Sequence, residues 1–366
     1  MRVSIQGRGT AQPAHALSQE QAADIAVWAS GGDARESRLI RSVFRHSGVQ
    51  RRGSVLLRKP PDDGVLPAEL TEFFPAAEPG HEAGPSVRER MTAFHTHAAP
   101  LALAAAGRAM TAAAVEPNEV AQVVAVSCTG LGSPGLEVAL VEGLGLPAST
   151  GRTMIGFMGC HGLINGLRVA RALALADPER PVLLCAVELC SLHYQYARDP
   201  RMAVADALFA DGAAALLLRA GIEAHTGTEL RAVGTCLLPD SAADMTWRIG
   251  NHGFEMTLSP RVPELIEAQL GPWLRDWLGE HGLTIADVGS WAIHPGGPRV
   301  LDAVCTALEL PERAVAPSRE VLAEAGNMSS PTVAFILDRL RQKGADGPTV
   351  LLAFGPGLVA EAALIV

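Results

Sequence analysis

The feature of this 366-residue chain that most restricts its fold is a faint internal repeat. In one copy the apolar, β-branched run VAQVVAVSCTG (120–130) enters a glycine loop, passes through a helical run and reaches GLGLP (143–147). In the other, DVGSWAIHPGG (287–297) does the same and reaches ALELP (307–311). Each copy then offers a glycine-led turn into a helix, GFMGCHGLINGLRVARAL from 156 and EAGNMSSPTVAFILDRL from 324. Each closes on a buried strand, RPVLLCAVE from 180 and GPTVLLAFG from 347. Cys128 and Cys160 stand 32 residues apart, His294 and Asn327 33. Strands alternating with helices give a mostly parallel sheet covered by helices. Two such units predict two similar α/β halves, residues 1–220 and 221–366, about a pseudo-twofold axis. The matching puts Cys160 and Asn327 at equivalent points, each at a helix start facing that axis.

Apolar residues make up 48% and charged ones 19%, enough to bury a large core. A formal charge of −9 argues against nucleic acid, whose binding needs a basic face. An anionic substrate must then be held by a local basic cluster. The opening MRVSIQGRGTAQP reads as strand and loop, with no charged leader and apolar run, so no signal peptide is expected. The stretch Ala98–Val115 is Ala-rich and interrupted by Pro100 and Arg108. It reads as a buried helix, since a membrane span wants about 20 strongly apolar residues. Lys59–Pro85, bearing Pro and Gly, reads as a long surface excursion. Six scattered cysteines with no C-x-x-C suit a reducing cytoplasm, with buried or catalytic thiols rather than disulfides or zinc. His95 and His97 fall on a predicted helix and form no ligand set, so no metal is expected.

Cys160 sits in G-C-H-G with Gly156, Gly159 and Gly162 around it. Glycines permit a tight strand-to-helix turn and close approach of a substrate. A thiol at a helix N-terminus gains from unpaired N–H groups and the dipole, which favour thiolate. Cys185, Cys190 and Cys305, inside apolar runs, read instead as small buried residues. His294 follows the strand Trp291–Ile293, at the carboxyl end where α/β sites gather. There it can pair with a thiolate or transfer protons. Asn327, in G-N-M-S-S-P before an apolar helix, suits either a helix cap or an oxyanion donor.

With these three positions the pattern becomes specific. A Cys in a glycine turn, then H-P-G-G-P, G-N-M-S-S-P-T and F-G-P-G-L, with LLPDS (237–241) and ALFADGAAALLL (207–218), resembles the type III polyketide synthases, the family of the chalcone synthases. The similarity runs over most of the chain. It implies a thiolase-like α/β fold, a homodimer, acyl-CoA and malonyl-CoA substrates, and no cofactor or metal. By the same resemblance Cys160 is the nucleophile, His294 and Asn327 complete a triad, and Phe209 is a gatekeeper between a coenzyme A tunnel and the cavity. An imidazolium at His294 is expected to hold the Cys160 thiol well below its free value of about 8.5. Arg38, Arg41, Arg45, Arg51 and Arg52 cluster near the start; they suit either the tunnel mouth or solvated surface.

Departures from the family concern the cavity. Trp247 falls where plant members carry glycine, Met256 replaces a phenylalanine, and His193 falls near a position often held by a small residue. Ala210 replaces the glycine after Phe209. Gly355, Pro356 and Gly357 are expected near the substrate. His161, beside the nucleophile, is unusual and reads as a helix residue packed on a second subunit. A ketoacyl synthase III-like enzyme served by an acyl carrier protein shares the Cys–His–Asn chemistry, yet it usually shows H-Q-A-N where this chain has His294-Pro295-Gly296-Gly297. Thiolases need a second cysteine near the C-terminus, and none follows Cys305. A decayed, non-enzymatic paralogue sits poorly with all three triad residues in place.

Overall fold

The computed structural model describes residues 1–77, 84–196, 200–221 and 228–366. The chain first forms β1 (Arg2–Ala11), β2 (Ala16–Ser18), α1 (Gln19–Ser30), α2 (Ala34–Arg45), β3 (Arg51–Gly53), α3 (Ala68–Phe73) and α4 (Val87–Ala113). There follow β4 (Gln122–Ser127), α5 (Leu136–Gly143), β5 (Gly151–Gly156), α6 (Gly162–Ala176), β6 (Val182–Leu189), α7 (Pro200–Leu208) and β7 (Asp211–Gly221). The remainder is β8 (Thr228–Leu237), β9 (Met245–Gly250), β10 (Gly253–Leu258), α8 (Val262–Glu280) and β11 (Ser290–Ile293). It ends with α9 (Pro298–Leu308), α10 (Ala316–Ala325), α11 (Thr332–Gln342), β12 (Thr349–Gly355) and β13 (Val359–Ile365).

The strand order β11-β12-β13-β8-β1-β7-β6-β4-β5 contains the repeat. β4 and β6 are parallel, β6–β7 and β7–β1 antiparallel; β11 and β12 are parallel, β12–β13 and β13–β8 antiparallel. Outside this scheme, β5 extends the first set at its edge. β1 and β8 meet antiparallel through Ser4–Glu229 and Ile5–Thr228, the relation a twofold axis between them requires. Even the turns repeat. Gly145 and Glu309, the third residues of GLGLP and ALELP, both take left-handed conformations, with φ of 66° and 57°. The expected boundary at 220/221 falls at the end of β7; residues 222–227 beyond it lie outside the described residues.

Strand alternation sorts the core into three layers. On β4, Val124 and Val126 face a central cluster with Leu163 and Leu167 of α6 and Val333 and Leu337 of α11. Val123 and Ala125 face the opposite way, onto Ala102, Ala105 and Ala109 of α4. On β12, Leu351 and Ala353 point to the central cluster, while Val350 and Leu352 meet Leu270 and Leu274 of α8 and Leu301 of α9. Helix, sheet, paired helices, sheet and helix follow one another, the thiolase-like arrangement. Each fully buried leucine adds about 1.5–3 kcal/mol to this core.

The Ala-rich stretch is the middle of α4, which continues through Pro100 on its exposed face. Its small residues let β1 approach so closely that a Cβ on Gly7 would lie 2.1 Å from the Ala109 carbonyl oxygen. Lys59–Pro85 is more than a surface excursion. It includes α3 and buries Leu70 and Phe74, because α1 leaves an apolar face to cover. Residues 78–83 of that stretch lie outside the described residues.

Candidate active site

Three elements end at one place. After β5 the backbone turns sharply through Phe157 (φ 58°) and Gly159 (φ 66°), and Cys160 lies on a short 3-10 turn leading into α6. His294 leaves the end of β11, its N–H donating to the Leu352 carbonyl at 2.8 Å. Asn327 lies between α10 and α11. It does not cap α11; its Oδ1 accepts the Ser329 N–H at 2.8 Å, which leaves its amide N–H groups for other partners. Phe157, Ser329 (φ 55°) and Leu358 (φ 50°) are non-glycine residues in the left-handed region beside the site. Each such conformation costs of order 1–3 kcal/mol and persists only where the surroundings impose it.

Cys160, His294 and Asn327 border one small chamber of about 20 Å³, with Phe209, Met256, Gly296 and Val300. Outward, Leu208, Gly296 and Val300 also border a cleft of about 430 Å³ opening beside Ser42 and His46. Inward, Cys160, Phe209 and Met256 also border a cavity of about 110 Å³ containing His193, Trp247 and Pro356. Its far wall is Leu17, Ala22, Ile25, Leu70 and Phe74, an apolar arm beneath α1 and α3. Phe209 therefore borders both chambers. Its chain is stitched to Asn327: the Ala210 N–H donates to the Asn327 carbonyl and the Asn327 N–H to the Leu208 carbonyl, each at 2.9 Å.

Burial works against the expected imidazolium–thiolate pair. Burial pushes the Cys160 thiol up to about 12, although the side chains of Ser329 and Asn327 hydrogen-bond to it. Burial pushes His294 down to about 3, and neither of its ring nitrogens has a partner among the described residues. Loss of hydration penalises each charge more than these neighbours repay. Burial thus opposes both charges, raising the Cys160 thiol and lowering His294.

The other predicted residues divide by role. Trp247 donates its indole N–H to the Cys128 carbonyl at 2.7 Å, which fixes a large side chain in the cavity wall. On the β9–β10 hairpin it pairs with Met256. His193 stacks on Phe254 at 4.2 Å; its Nε2–H donates to the Thr129 carbonyl at 2.6 Å and its Nδ1 accepts the Phe254 N–H at 3.0 Å. Burial pushes it down to about 3, so it is a neutral wall residue. Of Gly355, Pro356 and Gly357, only Pro356 borders the cavity; Gly357 donates its N–H to the Met245 carbonyl at 2.8 Å.

Arg38, Arg41 and Arg45 are exposed on α2, and Arg51 is exposed on β3. None borders the outer cleft, whose lining includes Arg299 and His46, and Arg41 pairs with Asp24 at 2.5 Å. Arg52 turns inward, bordering the cavity and donating to the carbonyls of Asp206 and Phe209. His161 is also inside its own chain, 3% exposed, rather than packed on a second subunit, because the 3-10 turn points its ring inward.

Sequence reasoning missed several residues here. Cys128 and Cys190, the latter read as inert core, border the cavity. Glu188, fully buried, accepts the Cys128 N–H at 2.9 Å and the hydroxyls of Thr129 and Ser330 at 2.7 Å each. The one available signal was an acid inside the otherwise apolar run VLLCAVEL.

Comparison with known proteins follows the same lines. Models of the chalcone and stilbene synthases match residues 3–222 with their N-terminal domain and 229–366 with their C-terminal domain. An alpha-pyrone synthesis polyketide synthase-like protein of Mycobacterium tuberculosis is 30% identical over 369 residues, 98% of this chain and 90% of its own. A 1,3,6,8-tetrahydroxynaphthalene synthase of Streptomyces peucetius subsp. caesius is 38% identical over 273 residues, 72% of each chain. Among solved structures, PKS-I from the brown algae Ectocarpus siliculosus superposes with a TM-score of 0.90 at 28% identity, covering 100% of this chain and 98% of that one.

Proposed function

The chain belongs to the chalcone and stilbene synthase family and is a type III polyketide synthase, a condensing acyltransferase; on that premise we propose that Cys160 carries the acyl chain through decarboxylative condensation with malonyl-CoA. The observation that carries this reading is the convergence of Cys160, His294 and Asn327 on one chamber between an outer cleft and an inner cavity.

Loading begins as neutral His294 takes the Cys160 proton while Sγ attacks the carbonyl carbon of an acyl-CoA. The carbon–sulfur bond to coenzyme A breaks, and its thiolate leaves with the proton returned by His294. For extension, malonyl-CoA places its thioester oxygen against the His294 N–H and the Asn327 amide, whose Oδ1 is already engaged by Ser329. Carbon dioxide departs and its bonding electrons form an enolate that these donors stabilise; losing one such donor costs about 2.7–4 kcal/mol of transition-state stabilisation. The enolate carbon attacks the acyl-Cys160 carbonyl, the Cys160 thiolate leaves, and the extended chain now sits on coenzyme A. Repetition and cyclisation give a pyrone, resorcinol or related aromatic.

In this reading the coenzyme A phosphates lie outside the cleft near Arg38, Arg41, Arg45 and Arg51, with Arg299 and His46 at the mouth. The apolar arm beneath α1 and α3 suits an alkyl or aryl starter. Trp247 limits elongation on the near side or diverts the chain into that arm. A homodimer is supported by edge strand β5, where exposed Met154 lies near exposed Leu131 and Met158. Six free thiols support a reducing cytoplasm, and no helix among the described residues is long and apolar enough to cross a membrane.

The test is incubation with malonyl-CoA and a panel of acyl-CoA starters, with carbon dioxide and products read by mass spectrometry. Condensation should vanish in Cys160→Ala, and Trp247→Gly should change product length or starter range. Products that persist in Cys160→Ala, or a wild type that neither releases carbon dioxide nor binds coenzyme A, would refute the assignment. An unchanged product profile in Trp247→Gly would remove the role given to that side chain.

A further inference from the structure

His161 follows the nucleophile yet takes no part in the chemistry above. Its Nδ1 lies 2.6 Å from Asn165 Oδ1, the Asn165 amide donates to Glu361 Oε1 at 2.9 Å, and Arg168 donates to Glu361 Oε2 at 2.5 Å. The direction of the chain settles the tautomer. Glu361, paired with Arg168, only accepts, so Asn165 must present its amide to Glu361 and its oxygen to His161. His161 therefore carries its proton on Nδ1, and Nε2 is a bare lone pair. That Nε2 is buried without a partner among the described residues. The ring lies over Gly355, where a Cβ would come within 2.7 Å of Nε2. The chain also joins the two halves: His161, Asn165 and Arg168 come from the α6 side, Glu361 from β13.

We infer that His161 is a positioning residue for the proton transfer from Cys160 to His294, holding the nucleophile's turn against the second half and keeping an uncharged ring beside the pair. The inference rests on the roles proposed above for Cys160 and His294. The groups facing His161 are Asn165 and Arg168 from α6 and Glu361 from β13, and its charge reaches His294 in the loop after β11. The end of β12 adds only the backbone of Gly355. Burial pushes His161 below its ordinary value, while Asn165 and Glu361 pull it back, so the ring is neutral near pH 7. Once protonated, it sets a positive charge close enough to push His294 further down. His294 is then a poorer acceptor for the thiol proton, and the reaction slows in acid.

The experiment follows alkylation of Cys160 by iodoacetamide from pH 5 to 9, using intact-protein mass spectrometry, with Cys160→Ala as the control for the labelled site. Wild type should show a plateau that falls away in acid, below the ordinary histidine range. His161→Phe removes both nitrogens and should react roughly 10-fold to 100-fold more slowly on the plateau, with thermal unfolding near that of wild type. His161→Gln keeps a donor for Asn165 and a lone pair but does not titrate. It should recover most of the plateau rate and extend it to lower pH. Wild-type rates in His161→Phe, or an unchanged acid limb in His161→Gln, would overturn the inference. A wild-type rate that rises with pH throughout, like a free thiol, would instead count against His294 as the proton acceptor.

Discussion

Glu188, next to last in β6, and Gly355, last in β12, stand on corresponding strands of the two halves, each 28 residues beyond the paired site positions Cys160 and Asn327. In the first half the position holds a buried carboxylate that gathers three strong donors and thereby braces the loops at 127–130 and 327–330. In the second it holds no side chain, and the vacated space takes the ring of His161 from the opposite half. The contrast continues in the two buried histidines. His193 has both nitrogens engaged by backbone, whereas His294 has neither. One histidine is tied down; the other, among the described residues, keeps both nitrogens unspent. Duplication supplied matching positions, and the chemistry rests on making them unlike.

That contrast can be broken at its strongest point first. Glu188→Ala leaves a buried N–H and two hydroxyls without their acceptor, and unsatisfied buried groups cost about 1–3 kcal/mol each. Urea unfolding should show a loss of about 3 kcal/mol or more; a loss below about 1 kcal/mol would mean that the donors find other partners. Gly355→Ala drives a methyl to within 2.4 Å of His161 Cδ2 and 2.8 Å of the Met158 carbonyl. It should cost about 1–3 kcal/mol, as overpacking does. In a His161→Ala background part of that cost should disappear, leaving a coupling of about 1 kcal/mol in a double-mutant cycle. Strict additivity would separate the glycine from the ring.

The smallest effect is a slope. Burial holds His193 at about 3 in the folded chain, below the ordinary 6.5, so its contribution to stability is full above pH 6.5 and is lost as pH falls toward 3. His193→Phe removes that dependence. The stability advantage of wild type over the variant should shrink by about 1.4 kcal/mol per pH unit between 6.5 and 5. A difference that stays constant with pH would mean that His193 is charged in the folded chain.

The strands and helices of the repeat could be read from the sequence because their apolar periods and glycine turns are local. Cys160, His294 and Asn327 were legible for the same reason, each standing where a periodic segment meets a turn. Glu188 was not, since its partners come from 60 residues earlier and 142 later in the chain. The direction of His161 was misread because a residue beside a helix start gives no sign of which way its ring points. The sequence shows which groups can pair, and only the fold shows the burial whose cost that pairing must repay. The arginines of α2 were visible as a cluster, yet only the fold separates them from inward-facing Arg52.

The β9–β10 hairpin forms a two-stranded sheet of its own, apart from the nine-stranded one. Its two strands pair only with each other, and it meets the cavity through Trp247, Phe254 and Met256. A lineage could therefore rewrite those side chains repeatedly without disturbing the strand ladders of the nine-stranded sheet, from whose ends the chain reaches Cys160 and His294. The hairpin is a place where descendants can try new products while inheriting the same reaction.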